Sequence, residues 1–443
     1  MAETNVLKSG VPRVGWLYDG NPDTPHIGVT LLDTEQNGIQ LSIPLRDLTG
    51  VYARWFQKGI FGIRNSDGSQ VEPLAVPNVL QFHDSYGPVV LVGCRTSGWH
   101  TGFQVGSGQV NATYAVLGGT HLNYAKINGM RTVVPHLAHW MGARITRTDL
   151  RTDKRSRIIG LDVTTSAQRP LRVGRKGNLT FQGSFRTSSE LGPDTTLIYD
   201  QMRVETHWKE PRPWHEHLDL HEGVIEVLTI SAWRDFGFEQ AAVSRDDDLL
   251  PTPSGPTPRW SEVATYNIPR PDDQLRRPSF LFTFQDIGVA GLRRWFALRS
   301  TYARAMRPFV RLRHLGQTGI EARLVQSSIA LDALGYALAD PAERNSRGQL
   351  EFNKALRAVY ANLRFDALGD PEAWIREATA IYRMVKHADN PSPDVLDMAN
   401  VHRDNIRVLR AWVALQLGMS HSVLRDRLSR DSQASATYEK SEW

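Results

Sequence analysis

Ile27-Gly28-Val29-Thr30-Leu31-Leu32-Asp33-Thr34-Glu35-Gln36-Asn37-Gly38-Ile39-Gln40-Leu41-Ser42-Ile43 sets two short apolar runs on either side of Asn37-Gly38. Asn-Gly accepts the positive φ angles of a tight hairpin turn, so the stretch predicts strands Ile27–Leu32 and Ile39–Ile43 in a β-hairpin. The texture continues outward. Val14–Tyr18 and Val89–Val92 are further short apolar runs, and Asp19-Gly20, Asp67-Gly68 and Asn128-Gly129 are further turn dipeptides. Residues 10–65 read as a first small β unit, and residues 75–235 continue as a larger sandwich or barrel-like region. Val133–Met141, with His136, His139 and Trp140, reads instead as a helix packed on the sheet.

The 443 residues suggest two or three domains. Apolar residues make up 41% and charged residues 22%, which fits a globular chain and argues against wholesale disorder. The net charge is +5, but residues 291–443 carry 23 Lys+Arg against 17 Asp+Glu, a net of +6, while the first 290 residues sum to −1. Most of those cations are Arg, whose planar fork suits phosphate. Cys94 stands alone, which excludes an intramolecular disulfide and a cysteine-based zinc knuckle. The start, Met1-Ala2-Glu3-Thr4-Asn5, has no signal-peptide pattern, and no apolar run reaches the ~20 residues that span a bilayer. The expectation is a soluble cytoplasmic protein with no membrane partner.

Residues 246–280 change in character. Asp246-Asp247-Asp248 is followed by Pro251, Pro253, Pro256, Pro258, Pro269 and Pro271, a density that disfavours helix and central strand. A long extended crossing segment is expected there. From about residue 287 the pattern turns helical. Residues 291–314 read as an Arg-studded connecting helix, and residues 315–430 as four or five antiparallel helices, with apolar residues at helical spacing in Glu321–Ala339 and Leu350–Ala367. Asp370-Pro371-Glu372 is a helix start with an N-cap acid and Pro at the first position. Ser392 is the expected N-cap of the next helix, and Gly418 closes it. Residues 431–443 read as a frayed tail. The fold class is therefore α+β multidomain: a β-rich sandwich or barrel-like region over residues 1–290, with subunits 1–70 and 75–245, followed by an all-α bundle.

Tyr382-Arg383-Met384-Val385-Lys386-His387-Ala388-Asp389-Asn390-Pro391 concentrates the chemistry. Arg383 and His387 are four apart, about 6 Å along a helix axis and on one face. The negative end of the helix favours the imidazolium of His387. A histidine that exchanges protons near neutrality, beside Arg and Lys, is what RNA transesterification needs. The other reading of the same residues is a helix-end histidine among solvated cations. Arg403, Arg407 and Arg410 follow at helical spacing, either tracking a phosphate backbone or forming a solvated face.

A second group is Trp214-His215-Glu216-His217-Leu218-Asp219-Leu220-His221. As a strand it aims His215, His217, Asp219 and His221 to one side, where they are either metal ligands or its wet face. The helical His-Glu-x-x-His spacing is absent. The aromatics Trp16, Tyr18, Trp55, Phe56, Trp99, Tyr114, Tyr124, Trp140 and Trp233 crowd the β region, as core or as the lining of a ligand groove. Arg175-Lys176-Gly177 lacks P-loop spacing, Gly106-Ser107-Gly108 lacks the third glycine of a dinucleotide fingerprint, and no Gly-x-Ser-x-Gly elbow occurs.

Tyr382–Pro391 and Asn405–Gly418, with Arg410-Ala411-Trp412 running into Leu417-Gly418, resemble an Apea-like HEPN domain. Leu331-Asp332-Ala333-Leu334 sits where such domains often carry an acidic residue on their first helix. Gly15-Trp16-Leu17, Thr120-His121-Leu122 and Leu137-Ala138-His139-Trp140 resemble the β domain of ApeA-type anti-phage defence proteins, so the resemblance covers most of the chain. It implies a β-rich sensor that regulates a HEPN ribonuclease, needing no metal or other cofactor and leaving a 2′,3′-cyclic phosphate and a 5′-hydroxyl. It also implies a homodimer through the helical domains, RNA such as tRNA or mRNA as substrate, a phage-derived trigger at the N-terminal domain, and a resting cleft occluded by that domain. His387 matches the HEPN histidine. Tyr382 stands at the nearest usual Arg position and Arg383 at the Asn position, while Arg376 lies eleven residues upstream, about 16 Å along a helix. The expected catalytic pair is Arg383 and His387, with Lys386, Arg403, Arg407 and Arg410 on RNA and Tyr382 and Asp332 in support. The alternative is a non-catalytic β-sandwich binding protein with a HEPN-like dimerisation domain. A metallohydrolase built on the His215 group is a third reading.

Overall fold

The computed structural model describes residues 5–46, 49–57, 68–100, 105–143, 145–166, 168–174, 178–188, 195–253, 255–270, 277–316, 318–387 and 389–431. Asp67, Arg175–Gly177, residues 271–276, Ala388 and nearly all of the expected tail lie outside them. The strands are β1 (Arg13–Tyr18), β2 (Ile27–Thr34), β3 (Gly38–Leu45), β4 (Val79–Asp84), β5 (Gly87–Val92), β6 (Arg95–His100), β7 (Gly106–Ala112), β8 (Tyr114–Leu117), β9 (Lys126–Val133), β10 (Thr146–Thr152), β11 (Ile158–Thr165), β12 (Leu171–Arg172), β13 (Leu179–Ser188), β14 (Leu197–Pro213), β15 (Gln240–Leu250) and β16 (Thr257–Thr265). The helices are α1 (Val51–Arg54), α2 (Leu137–Met141), α3 (Trp214–Ala232), α4 (Phe284–Thr301), α5 (Ala303–Arg311), α6 (Ile320–Leu338), α7 (Phe352–Leu363), α8 (Pro371–Lys386), α9 (Val395–Gln416) and α10 (His421–Ser429). None of them is long and apolar enough to cross a membrane.

The α+β class holds, with strands first and helices after. Fourteen strands join in one antiparallel order, β12-β13-β14-β9-β15-β16-β8-β5-β4-β1-β2-β3-β7-β6, and β10 and β11 form a separate ribbon. Thr34 pairs with Gly38, whose φ of 68° closes the expected hairpin. The segment expected as a Pro-rich crossing loop instead contains the end of β15 and all of β16, strands that join the two halves of the sheet. Pro258 is tolerated because it pairs only with Leu249 of β15, and β8 joins β16 only from Val263 onward. The missing N–H therefore falls outside the two-sided part of the ladder.

Three apolar clusters hold the chain together. Leu17, Leu31, Leu41, Phe82 and Leu91 face Tyr52, Trp55 and Phe56 around α1. The Phe56 ring presses so closely on β7 that a Cβ at Gly108 would meet it at 2.2 Å, which requires glycine there. Val90 and Val116, on the opposite face, pack under Tyr124, Ile127, Trp214 and Leu218. The largest cluster runs from Phe181 and Val204 of the sheet, through Val224–Ile230 of α3 and Trp295 of α4, to Leu331, Val359, Trp374, Leu409 and Trp412. Sheet and helices thus share a core.

The expected single connecting helix is two elements, α4 and α5, with α4 interrupted at Gly288, where φ is 59°. Asp370 caps α8 as expected, accepting from the Ala373 N–H at 2.9 Å with Pro371 behind it. The N-cap of α9 is Asp394 rather than Ser392, and its carboxylate accepts from the Leu396 N–H at 2.8 Å.

The junction between sheet and helices turns on Arg410 of α9, which is 1% exposed. Its guanidinium donates to the Ile230 and Ser231 carbonyls at the end of α3, both at 2.8 Å, and to Asp431 at 2.6 Å. This corrects the expectation that Arg410 lies on an RNA-facing stripe: the cation is consumed inside the fold. Arg410→Met keeps the bulk but strips the α3 carbonyls of these donors and removes the charge facing Asp431. Urea unfolding should show a loss of about 3–5 kcal/mol, and an unchanged midpoint would mean that the junction does not depend on this contact.

Candidate functional site

The C-terminal end of α8 gathers a cluster of chemistry-bearing side chains that the sequence singled out. Tyr382, Arg383, Lys386 and His387 line a pocket of about 210 Å³ with Glu351, Phe352, Asn353 and Thr379. The helix stops at Lys386. His387 is its C-cap, with φ −118° and ψ 114°, and its N–H still donates to the Arg383 carbonyl at 3.1 Å. Asn390 completes the end, its N–H donating to the His387 carbonyl at 3.1 Å. The expected helical phase therefore fails by one residue at His387, yet Arg383 and His387 still face one pocket.

Tyr382 is half-buried. Its ring packs on Phe352 with centroids 4.7 Å apart, and the Lys386 ammonium sits 5.7 Å above it. Burial raises the Tyr382 phenol above its ordinary pKa, and the charge of Asp332 on α6 adds to this. Burial likewise lifts the Asp332 carboxyl, against the pull of Lys386 and of Arg304. Asp332 thus lies within electrostatic reach of Lys386 and Tyr382. Arg383, Lys386 and His387 are exposed, and all the lining residues come from the α7 and α8 region. Among the described residues none from the sheet lines this pocket, where the sequence reading expects the N-terminal region to occlude the cleft.

The three α9 arginines do not join it as a stripe. Arg410 belongs to the junction, and Arg403 is buried with its guanidinium 3.4 Å from Asp404. Arg407 is partly exposed, 4.0 Å from the same carboxylate. Of the three, Arg410 turns inward onto the end of α3, whereas Arg403 and Arg407 meet Asp404 of their own helix. Sequence reasoning also missed His402. Its Nδ1 lies 3.2 Å from the Ser327 hydroxyl, in a buried network with Asn405 and Trp374, and burial pushes its pKa down to about 4.

The His215 group is a helix, not a strand. Pro213 ends β14, and Trp214 opens α3, so His217 and His221 fall one turn apart on the buried face while His215 points to solvent. The alternation with Leu218 and Leu220 had mimicked a strand. The two buried rings form a hydrogen-bonded chain whose directions follow from donor counting. The Ile127 carbonyl can only accept, so His217 Nε2–H donates to it at 3.1 Å. Nδ1 of His217 then accepts from the Thr206 hydroxyl at 2.8 Å, and that oxygen accepts from His221 Nε2–H at 3.0 Å. Nδ1 of His221 accepts from Thr132 at 2.7 Å. Every ring nitrogen is used, both rings are neutral, and among the described residues no group of three or more metal-ligating side chains gathers. The metal reading is corrected accordingly: these histidines tie α3 to β9 and β14.

In the sheet, the expected Thr120 motif meets Asp248. That buried carboxylate accepts from the Thr120 N–H and hydroxyl, both at 3.0 Å, and from the Tyr124 hydroxyl at 2.9 Å. Burial alone would lift its pKa, but these hydrogen bonds and Arg259 hold it below the ordinary carboxylate value.

The architecture defines a large antiparallel-sheet protein with a fused helical module. The chain belongs to the ApeA N-terminal domain 1 family, which it matches over residues 13–295, from β1 into α4. Membership points to anti-phage defence. No curated protein and no solved structure matches the chain. The α8 pocket lies beyond the matched residues.

Burial pushes His217 down to about 4 and His221 to about 3, with nearby histidines adding to the effect and the Ile127 bond opposing it at His217. A depressed folded pKa makes their contribution complete above the unfolded value of about 6.5 and progressively lost below it. Stability should fall between pH 6.5 and 4 by up to about 1.4 kcal/mol per pH unit for each ring. Urea midpoints from pH 7 to 5 check this, and the slope should flatten in a His217→Gln/His221→Gln variant.

Proposed function

We propose that the chain is an anti-phage defence effector whose helical module cuts RNA at the α8 pocket by metal-independent transesterification. The observation that carries this reading is the convergence of Arg383, Lys386 and His387, all exposed, on one pocket, with Asp332 within electrostatic reach of Lys386. Membership of the ApeA N-terminal domain 1 family supports the defence role.

In this reading His387 takes the proton of an RNA 2′-hydroxyl. The 2′-oxygen attacks the adjacent phosphorus, and the bond from phosphorus to the 5′-oxygen breaks. The leaving oxygen recovers a proton from the imidazolium, and the products are a 2′,3′-cyclic phosphate and a 5′-hydroxyl. Arg383 stabilises the charge that builds on the phosphoryl oxygens, and Lys386 steers the backbone. Tyr382 holds Lys386 from below through its ring. A pocket of about 210 Å³ is smaller than a typical small-molecule site and too small to enclose a nucleotide segment. Pairing of two helical modules about a twofold axis would supply the second wall, and the N-terminal sheet would receive the phage-derived trigger.

A non-catalytic binding protein is the second reading, and the observation favouring it is Tyr382. The residue at the usual Arg position is packed against Phe352 rather than presented to a phosphate.

Full-length protein and a His387→Ala variant incubated with total RNA and tRNA in EDTA separate the two. Cleavage by the wild type with cyclic-phosphate ends, reduced at least about 100-fold in the variant, is expected. Intact RNA in both, even with phage lysate added, supports the binding protein instead.

A further inference from the structure

The outer face of the N-terminal half of the sheet carries a feature that neither the pocket nor the shared core explains. β1 lies between β4 and β2, well inside the sheet, and its outward residues are Val14, Trp16 and Tyr18. They are 74%, 60% and 38% exposed. An antiparallel sheet whose outer face meets water places polar residues there. β1 does the opposite along its whole length. Gly28 of β2 pairs opposite Trp16, and open space stands over it, so one flank of the indole is bare.

Elsewhere this same face is covered. Val90 of β5 and Val116 of β8 lie under Tyr124, Trp214 and Leu218, and that layer stops short of β1. Over β4, β1, β2, β3 and β7 this face carries no formal charge, and Arg95 of β6, opposite Asn111, marks its far edge. Following the pairing from Val14 through Thr30 and Ser42 to Gln109 of β7, and from Trp16 to His83 of β4, the outward positions of these strands hold no Asp, Glu, Lys or Arg among the described residues. Gln109 and Asn111 are already tied to Gln40 by side-chain hydrogen bonds at 3.1 and 3.2 Å, which orders the neutral rim.

Such a face rejects a polyanion, whose binding needs Lys or Arg at the phosphates. It also rejects a charged protein surface, whose ions would be desolvated with nothing to face them. In a twofold contact, residues near the axis meet their own copies, so any charge there meets its like. For a chain of net charge +5, a neutral aromatic patch is the surface that escapes this penalty. We infer that the outward face of β1, β2, β3 and β7 docks a second copy of this chain, with Trp16 and Tyr18 as central anchors and the Thr, Ser and Gln side chains as the rim. Two such faces stack as the layers of a β-sandwich do, about 10 Å apart. Aromatic anchors ringed by neutral polar residues are the usual composition of an interface centre.

Sedimentation velocity of the full chain provides the test. Trp16→Lys should halve the mass of whatever assembly the wild type forms, because pairing through the helical modules would survive the substitution. Circular dichroism confirms that the variant is folded, and Thr30→Arg, at a half-buried rim position, should give the same halving. Cys94 is the sole cysteine and is buried. A thiol introduced by Gly28→Cys is therefore the reactive one, and a short bis-maleimide should link two chains through it. A wild type that stays monomeric at tens of micromolar overturns the inference and assigns the face to a foreign neutral occupant. An assembly whose mass Trp16→Lys leaves unchanged overturns it as well.

Discussion

A helix C-terminus buried inside a protein must find donors for its last carbonyls, and the end of α3 finds them on other elements. Arg410 of α9 reaches the Ile230 and Ser231 carbonyls, and the Leu281 N–H reaches Ser231 from the chain entering α4. The neighbouring Phe282 carbonyl accepts from Trp140 of α2 at 2.9 Å and from the Ser231 hydroxyl. Arg427 of α10 joins Leu281 to Asp286, the residue that closes the capping box of α4. Helix α3 is fastened in turn to the sheet by its two neutral histidines. One buried guanidinium thus ties α3, itself fastened to the sheet, to α9 and to Asp431 beyond α10.

That arrangement constrains any account of regulation. A sensor that swings freely on a linker and uncovers a cleft does not suit a chain whose sheet and helices share one apolar core. Nor does the α8 pocket need uncovering, since Arg383, Lys386 and His387 already face solvent. If the pocket is silent until a trigger arrives, the missing element is a second wall rather than a removed lid. Assembly fits that requirement better than a hinge does, because bringing another copy against an open pocket leaves the junction intact.

Parts of this structure are legible in the sequence because local chemistry decides them. Asn37-Gly38 closes a hairpin through its own backbone preferences, and Asp370-Pro371 starts a helix with its own side chain and ring. Other parts depend on distant partners and misread locally. His215, His217, Asp219 and His221 alternate like a strand, but residues 217 and 221 are also one helical turn apart. Only Thr132 and Thr206, on β9 and β14, decide between these readings by hydrogen-bonding the rings of a helix. Pro258 argues against a central strand until the ladder is seen to be one-sided at its position. The pocket residues were legible as a group because they are nearly contiguous in sequence. Asp332, which completes their electrostatics, comes from another helix and was placed there by resemblance.

The basic surplus of the helical third illustrates a further limit of sequence arithmetic. A net charge counts cations without saying which of them face solvent. Arg410 is spent on the α3 carbonyls, Arg427 on Asp286, and Arg299 on Glu226 and Asp219. Arg293 and Arg294 donate to the Val173 and Leu417 carbonyls. These arginines contribute to the +6 but hold the molecule together rather than attract a polyanion. Binding that depends on counterion release scales with the phosphates actually contacted, not with formal charge. The surface keeps Arg383 and Lys386 at one pocket and also exposes Arg304, Arg307, Arg311 and Arg376 on the helices, so it offers both a few localised phosphate contacts and broader electrostatic capture. A cutting site that acts on a particular exposed phosphodiester needs the former, and a general nucleic-acid binder would need the latter.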